Sequence, residues 1–342
     1  MNPIVIVADD LTGASDSAAP FAMRGASVRI ALHVDAIAEA AAGDPAVLAV
    51  DTRSRHLPPA AAAERAATAW RALAPLAPRL VFKKVDSRLQ GPCAAEVDSL
   101  LAQSGRDLAA ICPAVPAQQR IVAGGLLAGR GLDRPIGVAD HFAATACLCH
   151  DAGDMADLDA IAAGVLADPE CILAVGASGL ATALAQRLFG PAATAATPQP
   201  ELPLLIAIGS RDAITDAQVQ RLRHEYPDPK DTAVHLHRMP ADPQPDPAPA
   251  LARFAGKVAD LVRADGVRTL LCSGGDTAAA VLDALAVRQL VPEGEWCAGI
   301  PSARVVGRPD LRLVTKSGGF GDPGVLARFV RHARTGQRQD AA

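Results

Sequence analysis

Short apolar runs alternate with longer, alanine-rich amphipathic stretches along most of the chain. Such short runs are typical of strands that are buried on both faces of a sheet. In the first half they are Ile4 to Ala8, Val28 to Leu32, Ala46 to Val50, Leu80 to Lys83, Leu108 to Cys112 and Cys171 to Val175. The helices predicted between them are Ala14 to Met23, Pro58 to Leu73, Cys93 to Gln103 and Gly179 to Leu188. The alternation predicts mostly parallel sheets flanked by helices, an α/β fold.

The second half repeats this pattern after a segment that lacks periodicity. Its predicted strands are Leu204 to Ile208, Val234 to His237, Thr269 to Cys272 and Leu311 to Val314, and its clearest helix is Ala279 to Ala286. Pro191 to Pro203 is small, proline-rich and aperiodic, as linkers are, and Pro240 to Pro249 is predicted to be a surface loop. We therefore predict two domains, residues 1–190 and 204–342, joined by a linker at 191–203.

Composition narrows the possible partners. The 342 residues are 50% hydrophobic but only 3% aromatic, which argues against a base-stacking platform for single-stranded nucleic acid. A net charge of −4 without a basic stripe makes a nucleic-acid partner unexpected, although a local cluster of Lys and Arg suffices for a small anion. No apolar run approaches the ~20 residues of a membrane span, so no membrane partner is expected.

The seven scattered cysteines fit a reducing cytoplasm better than a disulfide framework. Cys147-Leu148-Cys149-His150 contains metal-ligand types but no second pair at zinc-site spacing, so no metal site is assigned.

Three predicted strands of the second half end in turns of small residues. They are Gly209-Ser210, Ser273-Gly274-Gly275-Asp276-Thr277-Ala278, and Lys316-Ser317-Gly318-Gly319-Phe320-Gly321. A strand that ends in small residues before a helix leaves backbone N–H groups at the positive end of the helix dipole, where phosphate binds well. Lys316 and Gly321, at the two ends of the third turn, are also candidate nucleotide-binding residues. Gly319 to Gly324 also matches the dinucleotide fingerprint, but too little chain follows it for a dehydrogenase.

Charged residues follow three predicted strands of the first half. Asp9-Asp10 follows the first, Asp51-Thr52-Arg53-Ser54-Arg55 the third, and Lys83-Lys84-Val85-Asp86-Ser87-Arg88 the fourth. Carboxylates there can accept a proton from a substrate hydroxyl, and cations there can hold an anionic group. The alternative for Asp10 is capping of the next helix, and for Arg53 a solvated turn.

In this order the segments resemble the four-carbon acid sugar kinase family, which includes the 3-oxo-tetronate and threonate kinases. Further matches are Pro113-Ala114-Val115-Pro116 with Arg120, Thr215 with Gln218, and Gly299-Ile300-Pro301, so the resemblance covers residues 4 to about 330.

The resemblance implies a sugar-acid domain followed by an ATP domain, with the active site in the cleft between them. It implies that the sugar acid is faced by Asp9, Asp10, Arg53, Lys83, Lys84, Asp86 and Ser87. It implies that the nucleotide is faced by Ser210, Gly274, Gly275, Asp276, Thr277 and Gly318. The chain departs from the family where Asp86-Ser87-Arg88-Leu89-Gln90-Gly91-Pro92 stands for the usual Asp-Ser-Thr-Leu-Arg-Gly-Asn, and where Asp276 stands for a glutamate.

The leading hypothesis is an ATP-dependent kinase that phosphorylates a terminal hydroxyl of a small, four-carbon sugar acid. Asp86 or Asp10 would accept the hydroxyl proton, Lys84 and Lys83 with Arg53 and Arg88 would hold the acid and screen the incoming phosphate, and Mg²⁺ would bridge the ATP phosphates. The alternative is a sugar-acid or nucleotide sensor with the same fold and no turnover. The oligomeric state is open, with a homodimer as one expected assembly.

Overall fold

The computed structural model describes residues 2–192, 198–227, 233–240 and 247–340, the last four without their side chains. The chain divides into two compact units, residues 1–195 and 196–342. Residues 193–197 of the predicted linker and 241–246 of the predicted proline-rich loop lie outside the described residues.

The first unit is built on a parallel sheet with the strand order β2-β3-β1-β4-β10-β5-β9. The strands are β1 Ile4–Ala8, β2 Val28–Ala31, β3 Val47–Asp51, β4 Leu80–Lys84, β5 Leu108–Cys112, β6 Arg120–Ala123, β7 Leu126–Gly129, β8 Ile136–Gly137, β9 Cys147–Cys149 and β10 Ile172–Gly176. β6, β7 and β8 form a separate small antiparallel sheet. That sheet occupies a stretch for which the hydrophobic pattern predicted no element.

Helices cover the parallel sheet of the first unit. They are α1 Leu11–Ala22, α2 Ile37–Ala41, α3 Pro59–Leu73, α4 Cys93–Ser104, α5 Val138–His141, α6 Met155–Ala167 and α7 Ser178–Phe189. Every residue of β1, β3 and β4 is buried, as expected for strands with helices on both faces. The predicted strands and helices of this unit are present, with ends that differ by up to three residues.

The second unit has the strand order β12-β11-β13-β16-β15-β14. Its elements are β11 Leu204–Ile208, α8 Ala213–Glu225, β12 Val234–Arg238, α9 Pro247–Ala264, β13 Thr269–Ser273, α10 Gly275–Ala284, β14 Gln289–Cys297, β15 Ile300–Val305, β16 Arg308–Lys316 and α11 Val325–Asp340. β11, β12, β13 and β16 are parallel, whereas β14 and β15 extend the sheet in antiparallel fashion. The α/β class with mostly parallel sheets is therefore confirmed. The β14–β15 hairpin was not predicted.

In each unit the strand order changes direction at the first strand of the sheet. In the first unit β1 lies between β3 and β4, and in the second β11 lies between β12 and β13. Loops that leave neighbouring strands in opposite directions open a crevice at the carboxyl ends of those strands, where ligands of α/β proteins bind. The segments after β1 and β11 are Asp9-Asp10 and Gly209-Ser210. The topology therefore gives each unit a candidate ligand site.

The core of the second unit lies between its sheet and α11. Ile206 and Val314 from the strands pack in one cluster with Phe329 and Val330 of α11. Trp296 borders this cluster, with its ring 4.9 Å from that of Phe329 and its indole N–H donating to His332 Nδ1 at 2.7 Å. Within the described residues no helix is both long and apolar enough to cross a membrane.

Two glycines test the packing of the first unit. A Cβ on Gly179 would overlap the carbonyl oxygen of Ala114 and lie 2.9 Å from Leu158 Cδ1, whereas one on Gly164 would meet nothing within 4 Å. We expect Gly179→Ala to lower the free energy of unfolding by about 1–3 kcal/mol, and Gly164→Ala, in the exposed middle of α6, to raise it by about 0.5–1 kcal/mol. Urea denaturation measures both, and equal effects would contradict the packing described.

Candidate active site

The turn from β1 into α1 brings two adjacent carboxylates into different environments. Asp9 is fully buried, while the side chain of Asp10 is 24% exposed. Asp10 precedes α1 and accepts a hydrogen bond from Gly13 N at 2.8 Å, so the expected helix cap is present. A Cβ on Gly13 would lie 2.6 Å from Asp10 Oδ1 and 2.9 Å from Lys84 Nζ, so this turn has room only for glycine.

Arg55 joins the carboxylates that follow two strands. Its guanidinium binds both oxygens of Asp9, lies 3.2 Å from Asp10 Oδ1 and donates to Asp86 Oδ2 at 3.2 Å. Two parallel N–H···O bonds to one carboxylate fix the geometry as well as the charge. Arg55 stands in the motif after β3 but is not among the residues predicted to face the sugar acid. Its position two residues after Arg53, on the same strand end, was the available signal.

The charges around Arg55 set the protonation of the two aspartates. Burial alone would raise the pKa of Asp9, but the hydrogen bonds and charge of Arg55, with the charge of Lys83, lower it below its usual value. Burial raises the pKa of Asp10, and the negative charge of Asp9 adds to that rise against the attraction of Arg55. Asp9 is thus a fixed anion, and Asp10 binds a proton more readily.

Asp51, at the end of β3, is a third buried carboxyl in the same region and was not selected from the sequence. It pairs in register with Ala8, directly before Asp9, and is 1% exposed. Burial and the negative charge of Asp10 raise the pKa of Asp51 to about 8, although Arg53 N donates to its Oδ1 at 2.8 Å.

Lys83 does not face an open surface, contrary to the expectation that it contacts the sugar acid. It is completely buried, with Nζ 3.1 Å from Glu96 Oε2 on α4. Glu96 in turn accepts from Ser54 Oγ at 2.5 Å, and Ser54 Oγ lies 2.6 Å from Thr52 Oγ1. The ion pair holds α4 against the end of β4, and Ser54 links Glu96 to the segment after β3. The role of Lys83 is therefore structural: its buried ion pair helps to pack the strand ends against α4.

Lys84 and Arg53 differ in what they offer to a ligand. Lys84 lies at the end of β4, 5% exposed, and forms no ion pair with any residue of the described ranges. Arg53 has a left-handed backbone with φ of 53°, and its Nε donates to Leu32 O at 3.3 Å. The same Nε lies 3.8 Å from Asp51 Oδ2, and the role of Arg53 as a carboxylate clamp stays a prediction.

Ser87 and Arg88 lie beside two further arginines. Arg120 donates to Ser87 Oγ at 2.8 Å and to the backbone oxygen of Arg130 at 2.8 Å. Burial lowers the pKa of Arg120, and the positive charges of Arg88 and Arg130 lower it further. Asp86 lies between Arg55 and the segment that carries Arg88. Its Oδ2 accepts from Arg55, and its Oδ1 accepts from Arg88 N at 2.9 Å.

The glycine turns of the second unit converge through their own hydrogen bonds. Gly209 N and Ser210 N donate to Ser273 O at 3.2 and 3.1 Å, and Gly274 N donates to Lys316 O at 2.9 Å. Gly274 has φ of 113°, a conformation that favours glycine, and precedes α10. Gly275, Asp276 and Thr277 form the first turn of α10, where backbone N–H groups lack partners within the helix.

The third glycine turn packs directly on the first. A Cβ on Gly318 would overlap Ser210 Oγ, and one on Gly209 would overlap Thr277 Oγ1. Thr215 Oγ1 donates to Gly318 O at 2.7 Å, and Gln218 Nε2 donates to Phe320 O at 2.9 Å. The candidate residues Ser210, Gly274, Thr277 and Gly318 therefore lie together. Gly321, with φ of 87°, belongs to the same turn as Gly318.

Lys316 is bound by its own turn, contrary to its expected contact with the nucleotide. It is 1% exposed, and Nζ donates to the backbone oxygens of Ser317 at 2.8 Å, Gly318 at 3.1 Å and Phe320 at 3.3 Å. Burial lowers the pKa of Lys316 to about 8. Its ammonium stabilises the turn from inside.

Two domain families match the chain, one in each unit. The family described as "Sugar-binding N-terminal domain" matches residues 4–142, and the "Nucleotide-binding C-terminal domain" matches residues 229–326. The carboxylate and arginine groups lie within the first match, and the turns after β13 and β16 lie within the second.

Curated relatives match along nearly their whole length. The D-threonate kinase of Bordetella bronchiseptica is 31% identical, covering 97% of both chains. That of Cupriavidus necator is also 31% identical, covering 94% of this chain and 96% of the relative. The 3-oxo-tetronate kinase of Burkholderia multivorans is 26% identical, covering 92% and 94%.

Solved structures share the fold. A Salmonella typhimurium protein described as a putative tRNA synthase superposes with a TM-score of 0.79 at 17% identity, covering 98% of this chain and all of the other. A DUF1537 protein of Haemophilus influenzae gives 0.70 at 21%, covering 97% and 99%. The two domain matches define a protein built from a domain of the sugar-binding family and one of the nucleotide-binding family. The chain belongs to the four-carbon acid sugar kinase family, as the sequence motifs indicated.

The buried carboxyl of Asp51 predicts a pH dependence of stability. Because its folded pKa, about 8, exceeds the unfolded value of about 3.9, the native state holds an extra proton between these pH values. The free energy of unfolding should therefore fall as pH rises through this window, by up to about 1.4 kcal/mol per unit. Asp51→Asn removes this contribution while retaining an acceptor for Arg53 N. Denaturant titrations from pH 5 to 8 should show the variant gaining stability relative to wild type as pH rises. A difference in the free energy of unfolding that does not change with pH would contradict the raised pKa of Asp51.

Proposed function

We propose that the protein is an ATP-dependent kinase that phosphorylates a terminal hydroxyl of a four-carbon sugar acid. The observation that carries the proposal is the segregation of charge at the strand ends of the first unit. Carboxylates gather around Arg55, and the positive charges of Arg88, Arg120 and Arg130 act on one another close to Asp86. An anionic acid with a neutral hydroxyl end is complementary to such a surface.

The carboxylate of the sugar acid would bind at the guanidinium groups of Arg88, Arg120 and Arg130. Arg120 is fixed by Ser87 Oγ and the backbone of Arg130, so its orientation is set before the ligand arrives. The like charge of Arg88 close by makes the group favourable for an anion that neutralises both. Arg88, Arg120 and Ser87 are therefore the proposed acid-binding residues, and Arg53 stays a candidate for the same role.

Asp10 is the better of the two candidate bases. Both oxygens of Asp86 are engaged, Oδ1 by Arg88 N and Oδ2 by Arg55. Asp10 uses Oδ1 for Gly13 N and Arg55, and its raised pKa favours proton acceptance. Lys84, beside the same turn, would screen the charge of the incoming phosphate. Asp9 and Lys83 act as positioning residues.

ATP would bind across the glycine turns of the second unit. Backbone N–H groups at the start of α10, between Gly274 and Thr277, would contact phosphate oxygens, and Ser210 and Gly318 shape the turn beside them. The curated relatives are kinases, and the matched second domain is described as nucleotide-binding. Transfer requires the γ-phosphate to meet the sugar hydroxyl, so we propose that the two sites share one cleft during catalysis.

Mg²⁺ is the metal that kinases use to neutralise charge on the transferred phosphate. Within the described residues no group of three or more His, Cys, Asp or Glu side chains is arranged to hold a metal. Mg²⁺ is usually held by one or two carboxylates and the substrate phosphates, and the carboxylates at the glycine turns fit this requirement. Asp212, whose carboxylate lies against Gly319, and Asp276 at the start of α10 would hold it.

Two further expectations stay proposals. All seven cysteines are free thiols, which suits the proposed cytoplasmic location. A homodimer remains the proposed assembly.

A substrate panel tests the kinase proposal. We expect ADP release with erythronate, threonate or a 3-oxo-tetronate, and none with the uncharged polyols erythritol and threitol, because these lack the carboxylate that Arg88 and Arg120 bind. Coupled assay of ADP measures turnover, and calorimetry measures binding of each ligand. Binding of acid and ATP without turnover would favour the sensor alternative.

Substitution of the two aspartates identifies the base. Asparagine also caps helices well, so Asp10→Asn should fold normally and still bind both ligands. We expect its kcat to fall by about 10²–10⁴-fold, the usual contribution of a general base. Asp86→Asn is the matched control, with a smaller expected loss of kcat. The reverse ranking would assign the base to Asp86.

A further inference from the structure

The second unit contains a cavity of about 390 Å³ that none of the candidate site residues lines. It opens where β12 ends and α9 begins. Met239, Pro240, Ala250 and Phe254 give it apolar walls. The ring of His237 stacks on that of Phe254, with centroids 5.1 Å apart and planes 7° from parallel. The walls suit a flat, uncharged ring system of modest size.

The rim of this cavity is cationic. Arg211, Arg253 and Lys257 line it, and no carboxylate of the described residues forms an ion pair with them. Arg238, also in the lining, is paired with Asp216. Burial and the charge of Lys257 lower the pKa of His237, so its ring is neutral at neutral pH. A ligand that matches this cavity therefore has a flat apolar part and a negatively charged part.

The cavity lies beside the first glycine turn, at the carboxyl ends of the strands. Arg211 directly follows Ser210, and Met239 N donates to Ile208 O at 2.8 Å, which ties the end of β12 to the end of β11. The ends of β12, β11, β13 and β16 follow one another in space. Three inter-strand spacings correspond to about 14 Å, a distance that an extended nucleoside triphosphate can cover.

We propose that this cavity receives the base and ribose of the nucleotide, whose phosphates then run from Arg211 across the glycine turns toward Gly274 and Gly318. This inference rests on the proposed kinase function. The apolar walls and the face of His237 take the base, and Arg253 and Lys257 attract the phosphate nearest the ribose. A free polyphosphate would use the cations but gain nothing from the walls.

Filling the cavity tests the proposal. Ala250 lines it from α9, whereas Ala252 is an exposed residue of the same helix and does not line it. We expect Ala250→Trp to weaken ATP binding by on the order of tenfold or more, since it occupies the volume required by the nucleoside. Tripolyphosphate binding should change by less than about twofold. Ala252→Trp should bind both ligands like wild type. Calorimetry with ATP and tripolyphosphate measures all of these.

A second variant covers the case in which Ala250→Trp does not fold. Ala250→Leu adds a smaller apolar side chain to the same wall, keeps a good helix former and leaves the cations without a new partner, so it should also weaken ATP more than tripolyphosphate. Equal ATP affinity in wild type and both variants would overturn this inference alone. Equal weakening of ATP and tripolyphosphate would overturn it in favour of a plain anion site. Failure of wild type to bind ATP would overturn the kinase proposal with it.

Discussion

The ion cluster centred on Arg55 is the constraint on which the first unit's site depends. One guanidinium from the segment after β3 neutralises carboxylates that follow β1 and β4, and Asp9 is fully buried beneath it. Loss of one partner from a buried pair leaves an uncompensated charge, at a cost of about 3–5 kcal/mol. The lowered pKa of Asp9, despite its burial, follows from where that positive charge lies.

Topology explains why the two ligand sites occupy corresponding places in the two units. In both units the strand order reverses at the first strand, and the segment after that strand carries candidate residues of the proposed site. The chemistry of each segment then differs by composition. Carboxylates and arginines follow β1, β3 and β4, whereas β11, β13 and β16 are followed by glycine and hydroxyl residues that expose backbone N–H groups.

The sequence predicted elements well where burial alone determines them. Leu108–Cys112 and Leu204–Ile208 match their predicted bounds, because short runs buried on two faces need only apolar residues. β14 could not be predicted in this way, because Pro292 and Gly294 are residues that disfavour a strand. It pairs antiparallel with β15, with register shifts.

Side-chain direction at the candidate site could not be predicted so well. Successive residues of a strand point to opposite faces, so Lys83 lies against Glu96 on α4 while Lys84 lies beside the turn of Gly13. The left-handed backbone at Arg53 could not be predicted either, and it is Arg55 that meets the aspartates. Such turns depend on tertiary contacts that no local pattern records.

The three hydrogen bonds that Lys316 gives to its own loop have a consequence for molecular recognition. A lysine that reached out to a phosphate would contribute charge but would have to be immobilised when the ligand arrived. Here the ammonium of Lys316 already orders the backbone of residues 317–320. Ligand binding therefore does not have to include the entropic cost of fixing this turn. At this turn the proposed nucleotide site therefore has an ordered backbone in place of a mobile charge.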